Sequence, residues 1–196
     1  LKVLESDPLL KTQAAYGLGS NAFRLKEQRP ELANEVHAHL AAKLNEATTD
    51  RQRVVRLTAL GNAGHRHTPA VVRPYAASAS PEVRAQAAQA LRRVSGLDAE
   101  AILVELSKDG MKDVRISAID AMGERPPSEV LAQRLADVMR SDAERTVRAK
   151  AIQTAGIWFA PDPALMTSLR AVAASDEADG LRRMAATALS KLEGAR

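Results

Sequence analysis

Apolar residues recur along this chain at the spacing of one helix face, and six times the run opens on an apolar residue followed by a base. The openings are Leu10-Lys11-Thr12-Gln13-Ala14, Val55-Arg56-Leu57-Thr58-Ala59, Val83-Arg84-Ala85-Gln86-Ala87, Val114-Arg115-Ile116-Ser117-Ala118, Val147-Arg148-Ala149-Lys150-Ala151 and Leu181-Arg182-Arg183-Met184-Ala185. Their first residues lie 45, 28, 31, 33 and 34 positions apart, the period of stacked helix pairs rather than of one globular core. In the third copy Val83, Ala87, Ala90, Leu91 and Val94 share a face at 3.6 residues per turn. Pro81 and Glu82 suit a helix start, and Gly96 is the expected stop.

The pattern predicts second helices of each pair, here called B helices, over about 9–22, 50–63, 81–95, 111–123, 144–158 and 178–193. Their partners, the A helices, fall over about 31–47, 69–77, 99–108, 128–140 and 163–174, with Pro74 kinking or shortening the second of these. Eleven helices result. The stretch from Gly19 to Glu31 is the longest irregular connection expected, and it accounts for the first, longer spacing. No alternation of strand type stands apart from the Ala-rich helical pattern. The expected fold is all-α: a right-handed α-α superhelix, a HEAT-like solenoid of about five and a half helix pairs, with residues 1–196 as a single domain. The unpaired opening helix and the start at Leu1 suggest a fragment of a longer chain.

The segments Ser80-Pro81-Glu82-Val83-Arg84 and Lys112-Asp113-Val114-Arg115 resemble the HEAT family of α-solenoids. A narrower similarity lies in Tyr16-Gly17-Leu18-Gly19-Ser20, in Leu57 through His65, and in Val83 through Val94 with its ending Ala90-Leu91-Arg92-Arg93. These segments look like the helical solenoid of the vitellogenin and microsomal triglyceride transfer family of large lipid transfer proteins. The resemblance implies a helical part that wraps lipid-holding β-sheets and contacts partner proteins. This sequence encodes no such sheets, so any lipid would be reached only through additional domains of the parent chain.

Composition narrows the chemistry. Cysteine is absent, which excludes disulfides, thiol nucleophiles and thiolate metal sites. No run approaches the length of a membrane span. The net charge of +4 is spread over 28 bases interleaved with 24 acids, and aromatics make up 3%, so a nucleic-acid surface is disfavoured. Trp158 with Asp162 offers the aromatic-plus-carboxylate pair of HEAT-like DNA glycosylases, against a packing plug formed by Trp158 and Phe159. His37 and His39, two apart on a helix, point to different faces. His65 and His67 lie in a turn and could converge, but nothing nearby completes a metal shell. Neither a Gly-x-Ser-x-Gly elbow nor a phosphate loop occurs.

The most regular polar feature is the base at Lys11, Arg56, Arg84, Arg115, Arg148 and Arg182. Equivalent helices stack about 10 Å apart, so these cations would form a ladder. Either each one bonds an acid or a helix-end carbonyl of an adjacent repeat, with Asp50, Glu82, Asp113 and Glu144 at hand, or the row attracts an acidic partner. Gly17, Gly61, Gly64 and Gly123 fall where a helix stops or crosses another closely. The expectation is a non-catalytic scaffold with no cofactor and no metal, binding a protein partner or other domains of its parent chain. Arg56, Arg84, Arg115 and Arg148 are the candidate contact residues. The alternatives are a supporting segment of a lipid-transfer or lipoprotein-like assembly and a nucleic-acid-binding HEAT-like protein.

Overall fold

A computed structural model describes residues 8–158 and 162–194. It contains eleven helices among the described residues: α1 (Pro8–Leu25), α2 (Pro30–Asn45), α3 (Asp50–Ala63), α4 (Thr68–Ala76), α5 (Pro81–Gln89), α6 (Leu97–Leu106), α7 (Lys112–Gly123), α8 (Glu129–Ser141), α9 (Arg145–Ile157), α10 (Pro163–Ser175) and α11 (Asp179–Gly194). No strand occurs among the described residues. The fold is an all-α helical-repeat solenoid, and most helix bounds fall within two or three residues of those expected.

The chain divides into two compact units, one ending at Ile102 and the other beginning at Leu103. In the first, α1 packs on α2 and α3, α2 packs on α3, and α5 lies against α3 and α4. Leu40, Leu44, Leu57, Leu60, Val72, Val83 and Leu91 are buried there. In the second, α9 packs on α7, α8 and α11, while α10 packs on α8 and α11. Ile119, Met122, Leu131, Leu135, Met139, Ile152, Leu165 and Leu169 fill that core. Within each unit most helices therefore pack on a neighbouring helix in the chain and on the equivalent helix of the adjacent repeat, the packing of stacked pairs. On α11, Leu181, Ala185, Ala188 and Leu192 are buried, Leu189 is half-buried and Met184 is exposed.

Small residues permit this approach. A Cβ at Gly19 would collide with the Ala59 carbonyl oxygen of α3, and one at Gly61 would stand 2.7 Å from Ala90 Cα. Gly64 ends α3 in the left-handed region, at φ 54°. Gly17, by contrast, has open space around it and neither stops nor crosses a helix.

Two expectations need correction. The stretch from Gly19 is not irregular: α1 continues to Leu25, so the long first spacing comes from two long helices of 18 and 16 residues. The helix expected to reach residue 95 ends at Gln89 and tightens into turns, with Leu91, Arg92 and Val94 each donating to the carbonyl three residues back. These turns still bury Leu91 and Val94. Gly96, at φ 112°, precedes α6 rather than capping α5.

Candidate functional site

In four repeats the B helix opens in the same way. Two residues before the N-cap stands Asp109, Asp142, Asp176 or Ser78, and its side chain accepts the N-cap backbone N–H: Met111 at 2.8 Å, Glu144 at 3.0 Å, Ala178 at 2.8 Å and Ser80 at 3.2 Å. Four residues after the N-cap stands the arginine. Its Nη1 folds back over the first helical turn to the carbonyl six residues earlier: Arg84 to Ser78 at 2.9 Å, Arg115 to Asp109 at 2.9 Å, Arg148 to Asp142 at 3.0 Å and Arg182 to Asp176 at 2.8 Å. Each arginine thus closes the turn that enters its own helix.

In the second unit the same side chain also reaches the next repeat. Arg115 donates Nε and Nη2 to the two oxygens of Asp142, at 2.8 and 2.9 Å. Arg148 does likewise to Asp176, at 3.1 and 3.2 Å, and adds a bond to Glu177 at 3.3 Å. The result is a zipper in which each aspartate takes the preceding repeat's arginine on its carboxylate and its own repeat's arginine on its carbonyl. Such bidentate pairs fix orientation as well as charge. The Arg148 side chain is only 8% exposed, as is that of Asp176. Hydrogen bonding to Asp176 raises the Arg148 pKa despite burial. Burial pushes the Asp176 carboxyl up, but the Ala178 N–H and Arg148 outweigh it and hold the carboxyl below its ordinary value.

Two details differ from the sequence expectation. The acids that hold Arg115 and Arg148 are Asp142 and Asp176, from the following turn, and not Asp113 or Glu144. The second-repeat member of the row is Arg53 rather than Arg56. Arg53 stands four residues after the N-cap Thr49, reaches the Ala47 carbonyl six residues back at 3.4 Å, and pairs with Asp50 at 2.5 Å. Arg56 lies a turn further along and donates to the Lys43 carbonyl of α2. Counted from Arg53, the row is spaced 31, 31, 33 and 34 residues apart, more regular than the apolar-base pattern showed. Lys11 sits exposed on α1.

The histidines separate as expected on α2, with His37 buried and His39 exposed. They also form a cluster that the sequence did not reveal. His37 stacks on His65 of the α3–α4 turn, ring centroids 4.3 Å apart and 27° between planes, and His67 lies 5.2 Å from His65. His65 Nε2 is 2.8 Å from the Asn34 side-chain oxygen, one turn before His37 on α2. Burial, aided by the neighbouring His65 and His67, lowers the His37 pKa to about 4. His65 is lowered too, by burial and by His67 and Arg66. The rings face one another rather than aiming nitrogens at a common point, and no group of three His, Asp or Glu among the described residues is placed to hold a metal ion.

Trp158 is buried, as a packing plug should be; Phe159 lies outside the described residues. The Asp162 carboxylate accepts the Ala164 and Leu165 N–H groups at 2.8 and 3.1 Å, which makes it the N-cap of α10. No described helix is long and apolar enough to cross a membrane.

With this geometry in view, the likenesses to known proteins are informative. The family model of the vitellogenin TPR domain matches residues 2–155. A crystal structure of an engineered protein is similar over 99% of this chain and 95% of that one, at 18% identity and a TM-score of 0.57. A designed armadillo repeat protein in complex with the peptide (KR)4 is similar over 96% of each chain, at 15% identity and a TM-score of 0.57. A computationally designed armadillo repeat protein for modular peptide recognition is similar over 95% of each, at 16% identity and a TM-score of 0.54. These structures agree in fold. No curated protein matches in sequence.

Proposed function

The chain belongs to the vitellogenin TPR domain family, and from that premise we propose that it is a non-catalytic scaffold whose exposed helix flanks and turns bind another protein. The observation that carries this reading is the stacked-repeat fold itself, in which the most regular charges fasten one turn to the next. Such a stack presents a repeated series of ridges and grooves, the kind of surface on which solenoids hold extended segments. The designed armadillo protein bound to (KR)4 supports the comparison. In this reading Arg84, Arg115 and Arg148 lie beneath the contact surface and set its register, while Arg56 joins α3 to α2.

Panning a random peptide display library against the folded chain tests the proposal. A scaffold of this kind enriches a family of related peptides that bind with micromolar affinity or better. Failure to enrich any sequence above an unrelated helical protein of similar charge would refute it.

The family match favours a second reading, in which the chain supports a lipid-carrying assembly. That reading predicts that the delipidated parent protein recovers bound lipid and that this chain alone recovers none. A parent protein that takes up no lipid would remove it.

A further inference from the structure

In the second unit a cleft of about 380 Å³ opens between the α6–α7 turn and the α8–α9 turn. Its lining holds three cations, Lys108, Arg115 and Arg134, and two carboxylates, Asp109 and Asp142. The carboxylates are engaged by their own turns: Asp142 takes both Arg115 nitrogens and the Glu144 N–H, and Asp109 takes the Met111 N–H. Arg134 is held differently. Its Nε and Nη2 donate to the hydroxyl and carbonyl oxygens of the fully buried Ser107, at 2.7 and 2.8 Å. Those two bonds fix the guanidinium plane and leave Nη1 with no acceptor among the described residues. Neither Arg134 nor Lys108 has a carboxylate within ion-pair distance among the described residues, although Asp137 and Asp142 are near enough to act on Arg134 through space. Burial, with the like charge of Arg115, lowers the Arg134 pKa in spite of them.

We infer that this cleft is a binding site for a single carboxylate, presented by a glutamate or aspartate side chain on an extended segment of a partner protein. The site rests on the scaffold reading and adds its specificity. A preorganised arginine fork with one free edge suits a planar carboxylate. The lining carries one positive charge in excess, which one carboxylate neutralises. A phosphate dianion would instead meet Asp109 and Asp142 in the same cleft.

The test uses the folded chain labelled with ¹⁵N and follows the Arg134 Nε–Hε resonance. Three capped heptapeptides are compared, alike except for a central Glu, Gln or phosphoserine. The Glu peptide should shift that resonance saturably and bind at least fivefold more tightly than the Gln peptide, and acetate should shift it where chloride at equal ionic strength does not. Arg134→Gln should abolish the difference. Because that change also removes the bonds to Ser107, Lys108→Gln at an exposed position serves as the second variant and should weaken Glu-peptide binding about threefold without lowering the melting temperature. Equal binding of the Glu and Gln peptides, tighter binding of the phosphoserine peptide, or an unmoved Arg134 resonance overturns the assignment. Display-selected peptides that lack acids and bind Arg134→Gln as well as wild type would overturn this site and leave the scaffold reading standing. A library that enriches nothing would refute the scaffold, and the acetate titration would still decide the cleft.

Discussion

Acid should weaken this protein at a pH where most proteins are indifferent, and His37 is the reason. The ring is 6% exposed, its Nε2 has no hydrogen-bond partner among the described residues, and the charges acting on it are other imidazoles, His65 and His67. Its folded pKa is about 4, against 6.5 for an ordinary histidine. The folded state therefore binds fewer protons than the unfolded one, and stability present above the unfolded pKa drains away as pH falls towards 4. Linkage for a single group shifted this far gives a loss of about 2 kcal/mol between pH 7 and pH 5. Asp176 does not confuse the measurement, because its lowered pKa places its contribution at more acid pH. Urea denaturation followed by far-ultraviolet circular dichroism at pH 7 and 5 measures the loss, with His37→Phe as the control. The phenyl ring fills the same space, removes the unpaired nitrogen and cannot titrate, so the variant should lose about 2 kcal/mol less than wild type over that interval. An NMR titration that placed the His37 pKa above 6, or a variant as acid-sensitive as wild type, would refute the reasoning.

Two further predictions follow from the packing. Gly17 and Gly19 are two residues apart on α1 yet should respond oppositely to alanine. Gly17→Ala enters open space and should gain about 0.5–1 kcal/mol from helix propensity, whereas Gly19→Ala meets the Ala59 carbonyl and should lose about 1–3 kcal/mol; melting temperatures that moved in the same direction would contradict the assigned crossing. Arg148→Ala leaves Asp176 buried without its partner and should cost about 3–5 kcal/mol in urea denaturation, while Arg148→Met with Asp176→Leu should recover most of that loss; a single variant within 1 kcal/mol of wild type would show that the zipper fastens nothing.

Much of the architecture was legible because a solenoid writes its fold locally. Thr49, Ser128 and Asp162 mark helix starts as N-caps, and their side chains accept N–H groups of the first turn. The arginine row was visible for the same reason, as a residue at a fixed place in each helix. Its register in α3 was not, because the first turn reads Asp50-Arg51-Gln52-Arg53 and the apolar-base pattern settled on Arg56. Distance from the N-cap, rather than the neighbouring valine, identifies Arg53. The bonding partners were hidden for a deeper reason. Asp142 and Asp176 lie 27 and 28 residues beyond the arginines they hold, and His65 lies 28 beyond His37. Such pairs are set by how successive repeats stack, which periodicity implies without giving the rotation. Looking six residues back from each arginine would have found Asp109, Asp142 and Asp176 as a second periodic series.

The two units solve one problem with different chemistry, and the difference has a consequence for their order of unfolding. Successive repeats must be joined at their turns as well as along their apolar faces. In the second unit the join is charged: Arg115 with Asp142 and Arg148 with Asp176, and the Asp176 carboxyl is held below its ordinary value because it accepts both guanidinium and backbone donors. In the first unit α2 meets the α3–α4 turn through stacked neutral imidazoles and the Asn34–His65 bond, a contact that protonation disrupts by placing cations side by side in a buried site. Lowering the pH from 7 to 5 should therefore open the first unit before the second. Hydrogen exchange at pH 5, corrected for intrinsic rates, should show lost protection in α2 and α3 with little change in α9 and α11. Equal loss in both units would mean that the histidine stack does not hold the turn, and earlier loss in α9 would mean that the arginine zipper is the weaker join.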